Sequence, residues 1–585
     1  MLQIAELIKI HCISFLKKND ISEEEIEKIK FTVDINKDID RGDLYTNFAL
    51  VMSKLFNQNP IVIAINLAEY LHQQLDKTIF KKVEAADAYV NFYLIDNFET
   101  KTEKINHPEF TGKKIAYEYT DPNPMKEFHI GHLMSNTIGE AISRIGELAG
   151  AEIKRYSYQG DTGRHLAVTM WGLRFMENPW PDAEGITITD KVKFLGQAYV
   201  TGNAKLAEAK DKGEQEYSRV MTEIEIMNQK IYDRSDDEVN TLYDQGKEWS
   251  LQKFEQLYEV LGTKFDHYFF ESQTAPVGLK IVKENLHATS SIFTTGENDA
   301  IIFQGEAYDL HTRVFINAKG IPTYESKEIG LAQMKYNVWN FDRSIVITAN
   351  EQNEVFKVTN KAITLLMPDI GSKMEHLGHG MMSFVGQKMS SRTGKIIAGD
   401  EFLEEMMASS YEKMAEREMT EQEKQNVSKD VAVAAIKFSI LKQNFRKNII
   451  FDKEKALSLE GDSGPYIQYA IVRINSIEKK TEGLGISDVT TVPLGENEMS
   501  PEAQNLNRTL WRFDHMCYKA IDEFAPQYIA QYLIDLASRF NSFYSKNKII
   551  EDEKVNKELF DLCVKTREVL TQGLTTLGIR VVGRM

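Results

Sequence analysis

The stretch Lys113–Gly160, KKIAYEYTDPNPMKEFHIGHLMSNTIGEAISRIGELAGAEIKRYSYQG, sets the architecture of this chain. KKIAYEYT predicts a short buried strand, and DPNPMKEF, with prolines at 122 and 124, predicts a loop. HIGHLMSNTIGEAISRIGELAG predicts a helix. Leu133, Ile138, Ile142 and Ile145 fall on one face of it, and Gly150 suits its end. EIKRYSYQG predicts a second strand. Strand, loop, helix and strand in that order are the βαβ unit of a parallel sheet. Such sheets bind ligands where a loop leaves the carboxyl end of a strand and enters a helix.

Working outward, the first hundred residues read as a compact α+β unit. FTVDINKDIDRGDLYTNFALVMSKLF predicts strand, turn and helix, with Gly42 free to take a positive φ. VEAADAYVNFYL, Val83–Leu94, predicts a closing strand. Beyond the βαβ unit, Trp171–Tyr258 is charged and helix-rich and reads as the body of an insertion spanning roughly 171–300. IIFQG, TRVFIN and SIVITAN then predict the strands of a second half of the sheet. After about Asp400 the chain predicts helices to its end, with Thr481–Gln504 as a loop between them.

A chain of 585 residues predicts more than one domain. No apolar run approaches a membrane span. The opening MLQIAELIKIHCISFLKKND predicts an amphipathic helix and not a secretory leader, because Glu6, Lys9 and His11 interrupt its apolar residues. Cys12, Cys517 and Cys563 stand far apart, with no zinc-type pair, and suit a reducing cytoplasm. A net charge of −17 argues against a general coater of nucleic acid. It leaves room for an RNA-binding enzyme, since local Lys/Arg patches set phosphate contacts.

His129 and His132 admit three readings. As metal ligands they would need two further donors; Glu127 and His165 are candidates, but no cluster with ligand spacing completes the set. As packed or surface residues they would have no function. As part of a nucleotide site they sit at a helix start, where backbone amides and the dipole favour phosphate. Gly131 then lets a flat base approach the backbone, and two neutral imidazoles donate N–H to phosphate oxygens as charge builds.

A second stretch supports the nucleotide reading. GQKMSSRTGK, Gly386–Lys395, gathers Lys388, Arg392 and Lys395 with Ser390 and Ser391 in one short loop. It is not a phosphate loop of the Walker type, since Met389 stands where that pattern has glycine. A cationic loop rich in small donors suits a triphosphate and its leaving pyrophosphate.

HIGH early and KMSSR late resemble the two signature sequences of class I aminoacyl-tRNA synthetases. The second signature usually ends in lysine, where this chain has Arg392. The charge is kept and the geometry changes, which shifts weight to Lys388. YEYTDPNPMKEFHIGHLMSNTIGEAISRIGELAG, FINAKGIPTYESKEIGLA, GPYIQYAIVRINSI and the closing VVGRM resemble arginyl-tRNA synthetases, and RGDLYTNFAL with VNFYL resembles the extra N-terminal domain of that family.

The resemblance implies a Rossmann-like α/β parallel-sheet catalytic domain at 106–400, split by the insertion. It implies an α+β tRNA-binding domain at 1–105 and an all-α anticodon-binding domain at 401–585. It implies ATP-dependent ligation of L-arginine to tRNA through an adenylate, with Mg2+ arriving on ATP and no tightly bound metal. His129, His132 and Lys388 match the catalytic positions, and Gly131, Ser390, Ser391 and Arg392 the ATP-binding ones. Glu118, Asn123, Tyr324, Glu328 and Gln352 match the arginine-binding set, with Glu328 where the usual residue is Asp. A guanidinium calls for planar acceptors, ideally a carboxylate taking two parallel N–H bonds. Tyr466, Tyr469, Arg473 and Met585 are the candidates for tRNA contact. The expected protein is a cytoplasmic monomer without membrane association. Two other readings stay open: a class I synthetase for another amino acid, such as lysine, and a tRNA-binding paralogue without catalysis.

Overall fold

The computed structural model describes residues 1–36, 38–95, 105–386, 398–483, 499–551 and 554–585. The chain divides into two compact units. One holds Met1–Ile105, Tyr469–Glu523 and Gln531–Gly573; the other holds Asn106–Gln468, Phe524–Ala530 and Leu574–Met585.

In the first unit, β1 (Val33–Ile35), β2 (Leu44–Thr46), β3 (Phe80–Ala86) and β4 (Tyr89–Leu94) form an antiparallel sheet in the order β1-β2-β4-β3. Helices Leu2–Lys18 and Pro60–Gln74 bury Ile8, Cys12, Leu67 and Leu71 in one core with Leu44, Phe92 and Trp511. Gly42 takes a φ of +103°, and a Cβ there would come within 2.9 Å of the Phe92 carbonyl oxygen. The single closing strand expected over Val83–Leu94 is instead a hairpin, turning at Asp87 with a φ of +53°. Asp tolerates that left-handed conformation, so a tight turn forms without glycine to announce it.

The second unit is built on a five-stranded, all-parallel sheet. Its strands are β5 (Lys114–Tyr119), β6 (Glu152–Gln159), β7 (His267–Phe270), β11 (Arg343–Ala349) and β12 (Met374–His379), in the order β12-β11-β5-β6-β7. On β5 the five successive residues Ile115–Tyr119 are all buried, as in a parallel strand covered on both faces. The chain builds outward through β6 and β7, then returns to the other side of β5 to lay down β11 and β12. The order therefore reverses between β5 and β11, and such a reversal opens a crevice at the strands' carboxyl ends.

Helix α1 (Ile130–Leu148) follows β5 and crosses it closely: a Cβ at Gly139 would fall 2.2 Å from the Tyr119 ring. Leu133, Ile138, Ile142 and Ile145 are buried as their spacing predicts, and Gly150 follows the helix with a φ of +92°. Helices α2 (Glu271–Leu286) and α3 (Tyr324–Val338) approach backbone to backbone. A Cβ at Gly278 would lie 1.8 Å from the Ser326 carbonyl oxygen, and one at Gly330 would lie 2.1 Å from that of Thr274. Only glycine fits at either point, and α3 is thereby fixed in depth.

Several expectations are corrected. The range 171–300 is not wholly outside the sheet, because β7 lies within it and forms the fifth strand. HYFF is four residues long and gives no period to read against its charged, helical surroundings. The helices Ile188–Asp211, Glu214–Asp233 and Asp237–Leu261 precede it. IIFQG and TRVFIN do not join the parallel sheet. They supply β9 (Ile301–Phe303) and β10 (Arg313–Ile316), which pair antiparallel with each other and, through β9, with β8 (Phe293–Thr295). Parallel pairing needs a crossover of a dozen or more residues, longer than the short link between β9 and β10. After Asp400 the chain is not helical throughout: β14 (Ile449–Phe451) pairs parallel with β13 (Met382–Phe384). Within Thr481–Gln504, helix Gly464–Gly483 covers the start and helix Pro501–Leu510 the end; 484–498 lie outside the described residues.

Candidate active site

The loop from β5 to α1 is locked in an uncommon backbone conformation. Thr120, Asp121 and Met125 have φ values of +81°, +46° and +57°. Left-handed backbone at a non-glycine residue costs on the order of 1–3 kcal/mol and persists only where neighbours hold it. Here α1 does the holding. The Thr120 N–H donates to Ser135 Oγ (3.0 Å), Asn136 Nδ2 donates to Thr120 Oγ1 (3.0 Å), and Ser135 Oγ donates to the Ile347 carbonyl of β11 (2.9 Å).

At the end of this loop the two histidines cap α1. The Gly131 N–H donates to His129 Nδ1 (3.1 Å), and the His129 N–H donates to His132 Nδ1 (3.2 Å). The rings stack with centroids 3.6 Å apart and planes 18° from parallel. A Cβ at Gly131 would sit 3.0 Å from the His129 ring, so this glycine makes room for the folded-back imidazole. Burial, with Lys126 nearby, pushes the His129 pKa down to about 4. Burial and His129 itself hold His132 well below the usual range. Both rings are therefore neutral near pH 7. An Nδ1 that accepts carries no proton, so each ring bears its hydrogen on Nε2 and offers one N–H donor.

The second signature meets the first through its flank. Lys388, Ser390, Ser391, Arg392 and Lys395 lie outside the described residues. Ala398, just beyond them, bridges to His129, and the Gly399 N–H donates to the Phe128 carbonyl (2.6 Å). Among the described residues no group of three or more His, Cys, Asp or Glu is placed to hold a metal. His165 is engaged elsewhere, with Nε2 at 3.0 Å from the Gly160 carbonyl.

The pairing places the acids beside this loop. Glu118 on β5 is opposite Val346 of β11, at the sheet's reversal point. Its Oε2 is 2.8 Å from Lys335 Nζ, and both side chains are enclosed. Glu328 on α3 is 1% exposed, and neither of its carboxylate oxygens has a hydrogen-bond partner of good geometry. Burial, then the Glu118 charge, raises its carboxyl to about 8, against opposing effects of Lys335 and the Tyr324 hydroxyl. Tyr324 starts α3 one turn before Glu328 and is 36% exposed as a residue. Its hydroxyl end is the enclosed part, and burial with the Glu328 charge raises its pKa well above the usual value.

Asn123 Oδ1 accepts from the Gly160 N–H (3.1 Å), and a Cβ on Gly160 would fall 2.4 Å from that oxygen. Gln352 ends a short helical turn before helix Asn353–Leu366 and is exposed; among the described residues no hydrogen bond joins it to Glu118, Tyr324 or Glu328. Two members of the cluster were not singled out from the sequence, Asp121 and Lys335. Asp121 Oδ1 accepts from the Tyr158 N–H (2.7 Å). Lys335 follows Glu328 by seven residues, two helical turns along the same face, and that spacing is its legible signal.

The candidate RNA contacts fall elsewhere. Arg473 donates to Asn541 Oδ1 (2.9 Å) and lies over the rings of Tyr469 and Tyr544 at 4.9 and 5.2 Å. The Tyr466 N–H donates to Ser463 Oγ (3.0 Å). Met585 lines a cavity with Met414, Val431, Leu457 and Leu459.

The histidine geometry carries a test. His132→Ala should lower the rate of ATP-dependent activation by about 10²–10³-fold, the usual effect of removing one preorganised donor. His132→Gln, whose amide nitrogen stands near the place of Nε2, should recover at least tenfold of that loss. Equal activity of the two variants in pyrophosphate exchange would show that the Nε2 donor is not used.

Three family descriptions match the chain. "Arginyl tRNA synthetase N terminal domain" covers residues 3–94, "tRNA synthetases class I (R), catalytic domain" covers 95–453, and "DALR anticodon binding domain" covers 467–585. The arginine–tRNA ligase of Clostridium kluyveri is 28% identical over 97% of this chain and 98% of its own. That of Clostridium botulinum is 27% identical over 100% of this chain and 99% of its own. The Thermus thermophilus arginyl-tRNA synthetase structure matches with a TM-score of 0.78 and 23% identity, covering 99% of this chain and 100% of that one. The Plasmodium falciparum structure matches with a TM-score of 0.74 and 20% identity, over 100% and 99%. At these identities the two structures speak to the fold alone.

Proposed function

This chain belongs to the class I tRNA synthetase family of the arginine type, and from that premise we infer that its paired histidines and its acid pocket divide the work of ligating L-arginine to tRNA. The carboxylate of arginine attacks the α-phosphate of ATP, pyrophosphate leaves, and the arginyl group passes to the terminal ribose of tRNA. Arginine brings its own nucleophile, so the protein's task is positioning and charge stabilisation. The Nε2–H groups of His129 and His132 donate to the phosphate oxygens as charge develops. Gly131 lets the His129 ring fold back beside the ATP, and Lys388, with Ser390, Ser391 and Arg392, adds the cationic and small donors. Mg2+ comes with ATP as part of that substrate.

The observation that carries the substrate assignment is Glu328, enclosed, with no hydrogen-bond partner of good geometry at either oxygen and the Glu118 charge acting on it. An unpaired buried carboxylate is costly, and a guanidinium satisfies it with two parallel N–H bonds. Glu118 has one oxygen held by Lys335 and accepts through the other, which suits the α-ammonium or one further N–H. Tyr324, Asn123 and Gln352 complete the walls. Tyr324 is the partly exposed member next to Glu328, so its ring is the side chain to move when arginine enters. Lysine's single ammonium leaves a fork of acceptors half empty.

Residues 1–105 and 401–585 bind the tRNA in this reading, the latter at the anticodon, which agrees with the description matched over 467–585. Tyr466, Tyr469, Arg473 and Met585 are its candidate contacts. Every residue given a role lies in one chain, so a monomer suffices. Among the described residues no helix is long and apolar enough to cross a membrane. The free thiols of Cys12, Cys517 and Cys563 suit a cytoplasmic setting.

The test is ATP–pyrophosphate exchange with each amino acid, with and without tRNA. Exchange with arginine alone is expected, strongest when tRNA is present. Exchange with lysine and not arginine would overturn the substrate assignment. No exchange at all, with tRNA still bound tightly, would point to the non-catalytic paralogue.

A further inference from the structure

The helix Asp237–Leu261 belongs to the charged insertion, yet it grips both loops that enter the candidate site. At the loop after β5, the Met125 N–H donates to Ser250 Oγ (2.9 Å), and Ser250 Oγ donates to the Gly246 carbonyl of its own helix (2.8 Å). A Cβ at Gly246 would fall 2.6 Å from Met125 Cε, so the helix lies close against this residue. Met125 has a φ of +57°, and such a conformation needs neighbours of this kind to hold it.

At the loop after β6 the grip is an ion pair. Asp161 is fully enclosed, and its Oδ2 accepts from Lys247 Nζ (2.7 Å) and from Ser272 Oγ (2.7 Å). Its Oδ1 accepts from the Ser272 N–H at the start of α2 (2.8 Å). Tyr243, one turn before Lys247, shares its hydroxyl hydrogen between Oδ2 (3.2 Å) and the Asp161 carbonyl (2.9 Å). Lys247 itself lies over the Phe270 ring, 3.8 Å from the centroid. A carboxylate so enclosed and so fully bonded has one arrangement, and removing its cation leaves a buried charge uncompensated.

Asn123 stands between the two grips. Its Oδ1 accepts from the N–H of Gly160, the residue before Asp161 (3.1 Å). A backbone N–H can only donate, so this bond orients the amide, with the oxygen on Gly160 and the two N–H at the other end. We propose that Asp161 and Lys247 are positioning residues for arginine: through their ion pair the insertion fixes Gly160 and, with it, the Asn123 amide. The proposal rests on the reading of Asn123 as part of the arginine site. The histidines are held by their own caps on α1, so the effect should fall on arginine and spare ATP.

Pyrophosphate exchange by the full chain tests this, with tRNA present and with arginine and ATP varied in turn. Lys247→Met should raise the KM for arginine by about 10- to 100-fold, the size of effect that a misplaced binding group produces. The KM for ATP should stay within about twofold, as expected when only arginine binding is lost. Asn123→Ala should give a loss of similar size. In that background Lys247→Met should add less than about threefold, because residues that act as a unit are not additive. Losses that multiply would overturn the claim that Lys247 acts through Asn123. Equal rises in both KM values, or an unchanged KM for arginine in Lys247→Met, would overturn the positioning role altogether. If Lys247→Met does not fold, Asp161→Asn keeps an oxygen for Ser272, loses the charge and is read in the same way. An unchanged KM for arginine in Asn123→Ala, or no exchange with arginine by the wild-type chain, would instead defeat the underlying reading.

Discussion

Glu328→Gln is expected to lower kcat/KM for arginine by about 25- to 4,000-fold while leaving the KM for ATP within about twofold. The size follows from the geometry. Glu328 is enclosed, and neither oxygen has a hydrogen-bond partner of good geometry. Removing one member of a desolvated, hydrogen-bonded charge pair costs about 2–5 kcal/mol, at about 1.4 kcal/mol per tenfold. The amide keeps the shape but loses the charge, and it presents a donor where the guanidinium also donates. Glu328→Asp withdraws the carboxylate by one methylene and should cost much less, about tenfold. Steady-state exchange at varied arginine and at varied ATP separates the two substrates. Parallel losses for both would mean that Glu328 shapes the whole site and does not bind the amino acid.

Glu140→Leu is expected to destabilise the chain by about 3–5 kcal/mol, the loss seen when one partner of a buried charge cluster is removed. Glu140 lies on α1 at 1% exposure. Arg144 Nε is 2.6 Å from its Oε1, and Arg155 Nε is 3.3 Å from its Oε2, where Tyr119 Oη also donates at 2.6 Å. Burial alone would raise the Glu140 carboxyl, but Arg155, Arg144 and Lys437 outweigh it and hold it below its usual range. Lys437 is enclosed too and donates to the carbonyls of Leu261 and Gly578 (2.6 and 2.8 Å), and burial pushes its pKa down to about 8. Leucine fills a similar volume and leaves those cations without their carboxylate. Thermal melting should shift down by several degrees, and a shift within one degree would refute the cluster's role. The histidines depend on the same helix, so activity at low temperature should fall less than stability does.

Much of the candidate site was legible because its information is local. Gly131 between two histidines, prolines ahead of them and a helix-period apolar face behind them are features of one short stretch. The tautomer of the histidines was not legible, because it depends on which backbone N–H reaches each Nδ1. Glu118 was found through resemblance to a family pattern, and its lysine partner was not, since Lys335 stands 217 residues away. Asp121 lay in plain view in DPNP, where it read as a turn former. Only the fold sets its left-handed backbone and the bond it accepts from the Tyr158 N–H.

The same division runs through the fold. The sequence by itself determined the βαβ unit at Lys113–Gly160, the helix that starts at the histidines and the chemistry those residues suit. These follow from side-chain periodicity, from proline and glycine geometry, and from the hydrogen-bonding capacity of imidazole. The tertiary structure alone decided strand order, the place of HYFF in the parallel sheet and the withdrawal of IIF and RVFI into an antiparallel one. It alone decided that Glu118 and Lys335 meet as an enclosed ion pair. Pairing partners and enclosed charge are set by contacts between residues far apart in the chain, and a short strand or a lone carboxylate has no period that announces its neighbours.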